Sequence, residues 1–263
     1  MSKGSMKEKQ MRMMKTAYTG AAALVMTAAM SMNALALSVG DTITIEYGAN
    51  HVSNFQGGEL SVNVLDGNNQ VSASYTSFCL EKNEGVSLST PYTVSSIAEY
   101  AEAAAGYGHG ATDVEENNVT TARDVLSDTT RWLFWQYITD SNSLMTFSDG
   151  SGSSFSFDNK ADLARIVQIT IWKLEDEYDE SPGQYVRDAG EIGTNFYSYV
   201  TGSVNPDEDF SSVKAINIEY TTEDGTVYGQ SQLTHVVPAP ASMMLFGLGM
   251  AGLTLIGRRR NAA

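Results

Sequence analysis

Two apolar stretches bracket this 263-residue chain and bound what can fold between them. Lys3, Lys7, Lys9, Arg12 and Lys15 make a basic start, and the run AYTGAAALVMTAAM, Ala17 to Met30, follows. That run is too short to span a bilayer. Ala34 and Ala36 then put small residues where a signal peptidase reads. Basic, apolar and small residues in this order make a secretory signal peptide, so residues 1–36 are expected to be removed on export. At the other end Val237, Pro238, Ala239 and Pro240 lead into ASMMLFGLGMAGLTLIG, residues 241–257, and Arg258, Arg259 and Arg260 stop it. The length sits at the short limit for a transmembrane helix. A basic terminus stays cytoplasmic by the positive-inside rule, which leaves the intervening domain outside.

Residues 37–236 remain, a length suited to one domain. Five of the 16 Lys+Arg precede residue 37 and three follow residue 257, while all but Glu8 of the 31 Asp+Glu lie between, so this segment carries a formal net charge of −22. Phosphate would be repelled, which excludes a nucleic-acid partner. The acids are scattered except in EDEYDE, Glu175–Glu180, and DED, Asp207–Asp209. Neither run has the ligand order of an EF-hand, and both read as solvated faces. Cys79 is the single cysteine, so stability has to come from a buried core rather than an internal disulfide. A lone thiol in an exported chain is either reactive or a small buried hydrophobe.

The hydrophobic period changes along the domain. TITIEY (Thr42–Tyr47), LSVNVL (Leu60–Leu65) and VSASYTSFCLE (Val71–Glu81) alternate as strands, with turns at GGE and DGNNQ. IAEYAEAAAGYG reads as a short helix, ARDVLSDTTRWLFWQYIT (Ala122–Thr139) as a second, and NKADLARIVQITIWKLEDEY (Asn159–Tyr178) as a third. The third has an apolar stripe at Leu163, Ile166, Val167, Thr170, Ile171 and Leu174, with Asp158 as N-cap. Strands return at NFYSYVT, VKAINIEYT and GTVYGQSQLTHV. The expected fold is mainly β (α+β), a β-sandwich or barrel with a helical insertion packed on one side.

Two resemblances add to this reading. Pro-x-Pro, a short Gly-rich apolar helix, an arginine cluster and an immediate stop resemble the PEP-CTERM sorting signal, with Ala239 where that family usually has Glu. The resemblance implies signal peptidase and exosortase as processing partners in a Gram-negative, exopolysaccharide-producing bacterium. It implies residence in the inner membrane through the C-terminal helix before sorting, then at the cell surface, outer membrane or extracellular matrix. The second lies in FCL, Phe78 to Leu80, and in VQITIW, where Gln168 sits between Ala164 and Trp172 beside the apolar stripe. These segments resemble the aromatic-Cys-aliphatic and Gln-x-Ala-Ile-Trp segments of bacterial thioester domains, with Thr170 in place of the usual Ala and Val167 in place of Thr. That resemblance implies Cys79 as sulfur donor and Gln168 as acyl donor of an internal thioester. It also implies adhesion or biofilm assembly on a surface or matrix polysaccharide or protein. The residues leave an unreacted, packed Cys79 beside a buried Gln168 open as well.

Other constellations are thinner. Cys79 with His109 would make a hydrolase, but no local signature surrounds either residue. Trp132, Phe134, Trp135 and Trp172 have the spacing of core aromatics rather than of a carbohydrate platform. One Cys, scattered His51, His109 and His235, and no Gly-rich phosphate loop leave no metal or other cofactor expected, and no turnover enzyme.

Overall fold

Ile43 and Ile45 alternate with polar residues in β1 (Thr42–Tyr47), and Leu60, Val62 and Val64 do the same in β2 (Leu60–Leu65). Each strand therefore buries one face. The computed structural model describes residues 37–52, 58–82, 84–104, 112–116, 119–149, 151–178, 182–204, 208–223 and 225–236. After β2 the Asp66 carboxylate accepts the main-chain N–H groups of Asn68 and Gln70, which turns the chain into β3 (Val71–Ser77). With β4 (Tyr92–Ala98), β10 (Val213–Thr222) and β11 (Gly225–His235) these strands form a six-stranded antiparallel sheet in the order β11-β10-β4-β1-β2-β3.

The sheet is open, and the barrel expectation is corrected accordingly. Its two edges meet only just beyond β3, where Cys79 forms an isolated antiparallel bridge with Gln232 of β11. Leu80 N–H donates to Ser231 O at 3.0 Å and Leu233 N–H to Phe78 O at 2.9 Å.

A three-stranded sheet, β5 (Tyr100–Ala104), β7 (Val119–Val125) and β6 (Thr112–Glu116) in the order β5-β7-β6, stands where helix was expected. Alanine-rich IAEYAEAAAGYG favours helix locally. Tertiary pairing overrides that preference. Ile97 and Ala98 pair with Ile216 and Ala215, and buried Asn217 accepts the Glu102 N–H at 2.9 Å while donating to Tyr100 O at 3.1 Å.

Three helices lie between β7 and β10. The first, α1 (Asp128–Leu144), starts later than the periodicity indicated, because Ser127 accepts from Thr130 N–H as N-cap and the chain through Val125 stays in β7. A small hairpin, β8 (Thr146–Ser148) and β9 (Ser154–Ser156), leads to α2 (Lys160–Leu174), capped by Asn159 rather than Asp158. NFYSYVT belongs to α3 (Pro182–Ser203), not to a strand. Its aromatics suit a strand, yet beyond a break at Gly190 the residues Gly193, Phe196 and Val200 are buried at helical spacing. A Cβ on Gly193 would stand 3.1 Å from Ile166 Cδ1, so glycine permits the close approach of α3 to α2. Helix residues such as Phe134, Leu163 and Phe196 share one hydrophobic core with Ile43, Val62 and Ile218 of the sheet.

The acidic run after α2 is only partly solvated. Glu175 and Glu177 are buried: Glu175 accepts from Ser127 Oγ at 2.9 Å and from Thr130 Oγ1, and Glu177 accepts from Lys82 N–H at 3.0 Å. Glu175 thus places a carboxylate at the N-terminus of α1, where the helix dipole favours it. Among the described residues no three His, Cys, Asp or Glu side chains converge on a metal-sized site, and no helix is long and apolar enough to cross a membrane.

Candidate functional site around Cys79

The bridge to β11 uses the main-chain groups of Phe78 and Leu80, not those of Cys79. In an antiparallel pair of this kind, the middle residue points its own N–H and C=O away from the partner strand. Buried and unpaired, those groups would be costly. The Gln168 carboxamide fills the place of the missing strand. Cys79 N–H donates to Gln168 Oε1 at 3.0 Å, and Gln168 Nε2 donates to Cys79 O at 2.8 Å. Gln168 is 0% exposed and Cys79 3%. A polar residue in the apolar stripe of α2 is explained by this pairing across 89 positions of sequence.

The sulfur has a different neighbour. Gln232 Nε2 lies 3.7 Å from Cys79 Sγ. Burial pushes the thiol up to about 12; the Gln232 contact works against that rise, and the nearby Glu81 charge adds to it. Cys79 is therefore a protonated thiol at neutral pH, not a standing thiolate. Glu81 is itself buried: its Oε2 accepts from Ser231 N–H at 2.9 Å, and its Oε1 has no hydrogen-bond partner. Burial first, then the charges of Glu84 and Glu177, hold this carboxyl well above the usual carboxylate range. Thr170, two positions from Gln168, is fully buried with an Oγ1 that finds no hydrogen bond.

Gln168 Cδ carries both atoms that bond the Cys79 main chain, so the amide lies against the residue that bears the thiol. Oε1 already accepts a main-chain N–H, which favours charge building on that oxygen. Water is excluded from both groups by the surrounding core.

Gln230, Ser231, Gln232, Glu81 and Ser77 escaped the sequence reading. GTVYGQSQLTHV alternates, yet the structure buries every residue from Gly229 to Thr234. The sulfur contact spans 153 positions, and nothing local to either segment signals it. Trp132, Phe134 and Trp172 are core residues, while half-buried Trp135 meets His235 edge-on at 4.7 Å. His51 stacks on Tyr47 at 3.7 Å. His109, the signal segment 1–36, Val237 to Pro240, the helix at 241–257 and Arg258 to Arg260 lie outside the described residues.

Strand β11 ends at His235, and Val236 N–H still donates to Ser212 O at 2.8 Å. Residues 236–260 match the family model of the PEP-CTERM protein-sorting motif. The chain carries an exosortase sorting signal. The motif implies an exported, membrane-passing protein that exosortase processes. The PEP-CTERM match begins at Val236, the residue that follows β11. No curated protein and no solved structure matches the chain.

Proposed function

We propose that this exosortase substrate is a surface or matrix protein of adhesion or biofilm assembly that captures an amine covalently through a Cys79–Gln168 thioester. The supporting observation is the buried Gln168 amide seated on Cys79. In the forming step Sγ attacks Gln168 Cδ, the Cδ–Nε2 bond breaks, and Nε2 leaves as ammonia with the thiol proton. Holding both groups in one dry site supplies the proximity that an amide, a poor electrophile, requires. A target amine then adds to Cδ, the C–S bond breaks, and Sγ recovers a proton from that amine. The event occurs once per molecule, so it is capture and not turnover.

The exported protein is expected to weigh one ammonia less than its sequence. Methylamine should add to Gln168 and release a thiol that iodoacetamide labels, whereas Cys79→Ala should show full mass and no adduct. A second reading has its own support: both polar atoms of Gln168 are already satisfied by the Cys79 main chain, and the thiol is protonated. On that reading the pair is structural and the matrix role noncovalent. Full sequence mass in freshly prepared wild-type protein would decide for it.

Sorting has a separate readout. A tag placed after Arg260 should be lost from the mature protein in a host with exosortase, while a tag in the domain is kept. Retention of the terminal tag at the surface of such a host would reduce the motif to an anchor.

A further inference from the structure

Cys79 meets two side-chain amides, and each serves a different part of it. Gln168 holds its main chain, while Gln232 faces its sulfur. Gln232 is fully buried on β11, in a run of three buried polar residues, Gln230, Ser231 and Gln232, that an apolar strand would replace at lower desolvation cost. Its amide has one orientation. Nε2 donates to Gln230 O at 3.1 Å, which fixes the amide; Ser77 Oγ donates to Leu233 O at 2.7 Å and lies 3.3 Å from Oε1. Turning the amide over would set Oε1 against the Gln230 carbonyl and lose that bond. The remaining Nε2 hydrogen is thereby aimed at Cys79 Sγ, 3.7 Å away.

We propose that Gln232 is a catalytic residue of the capture reaction, donating to Cys79 Sγ as negative charge develops there. The inference rests on the thioester reading above. When the target amine adds to Gln168 Cδ, the C–S electron pair moves onto Sγ. The Gln232 N–H stabilises that thiolate until the amine's proton reaches the sulfur and restores the thiol. The same donor assists the forming step, in which sulfur attacks as its proton departs. A donor fixed in advance in a water-excluded site needs no reorganisation when the charge appears, which is why single donors of this kind carry large rate effects. The fold supplies this one from the strand that closes the sheet edge over Cys79.

The test compares exported wild type with Gln232→Leu and Gln232→Met, which keep volume and lose the donor. Mass spectrometry follows thioester content and the rate of methylamine addition at Gln168. Both variants are expected to open about 10–100-fold more slowly than wild type. Gln232→Asn, which keeps an amide but draws its N–H back from Sγ, should slow opening by a smaller factor, and it carries the test should the two apolar variants not fold. A formed thioester with wild-type opening rates in these variants overturns this role alone. An adduct on Gln232 instead of Gln168 overturns it as well, since Gln232 would then be the acyl donor. Absence of any thioester in wild type overturns the capture reading, and this role with it.

Discussion

Removing the Gln168 amide is expected to destabilise the domain by about 3–5 kcal/mol, from two stranded main-chain groups and a cavity. The measurement belongs in a Cys79→Ala background, where no cross-link can form and only hydrogen bonding is at issue. Cys79→Ala alone should cost about 1 kcal/mol, because its N–H and C=O keep their Gln168 partners. Adding Gln168→Ala leaves both groups buried with no strand beside them. Against a typical total of about 5–15 kcal/mol, the double variant should unfold at a much lower denaturant concentration. Equal midpoints for the single and double variants would show that the amide does not act as a surrogate strand.

The second large effect is on pH. Stability is expected to peak in mildly acidic solution and to fall by about 1–3 kcal/mol between pH 5 and pH 8, after allowance for partial exposure. Burial raises Glu81, Asp124 and Glu175, with Asp124 reaching about 7 beside Glu175, Glu177 and Asp176. A carboxyl raised in the folded state binds a proton that the unfolded chain has released. Its contribution is complete below its ordinary value and disappears as pH climbs through the raised one. Asp66, Asp149, Asp209 and Glu99 are lowered, the first three mainly by hydrogen bonds within their own turns and Glu99 by Lys214 and Arg131. These four favour the fold above their ordinary range and withdraw that support in acid. His51 and His235, lowered by burial, oppose the decline in the acid half of this range, so the thermal midpoint should fall most clearly from pH 6.5 to pH 8, and Asp124→Asn should flatten that fall. Midpoints that rise from pH 6.5 to pH 8 would contradict the assignment.

What the chain disclosed depended on how far apart the interacting residues lie. Helix α2 was readable from Leu163, Ile166, Val167 and Ile171, because its signal is the spacing itself. Strands β1 and β2 were readable for the same reason. β5 was not, since Asn217 and Ser231, more than a hundred positions away, hold Glu102 in an extended backbone. In α3 the aromatic residues Phe196, Tyr197 and Tyr199 carry strand propensity that burial at Ala189, Phe196 and Val200 outweighs. Nothing in the 89 positions between Cys79 and Gln168 pairs them, and the geometry of their contact, main chain to amide, comes only from the packing of α2 on the segment after β3. Buried Glu175 and Glu177 looked like solvated acids because nothing in EDEYDE reveals that the start of α1 lies above one of them.

The narrow seam between the sheet edges sets how Cys79 can be reached. Two main-chain bonds to β11 and two to the Gln168 amide cover this residue, whereas β10 and β11 are joined along nearly their whole length. Parting the seam leaves the rest of the ladder intact, so it is a local opening with a smaller free energy than global unfolding. Amide hydrogens of Cys79, Leu80 and Leu233 should accordingly exchange sooner than those in the middle of β10. With one cysteine in the chain, thiol labelling of unreacted protein becomes a gauge of that single fluctuation, free of any other sulfur signal.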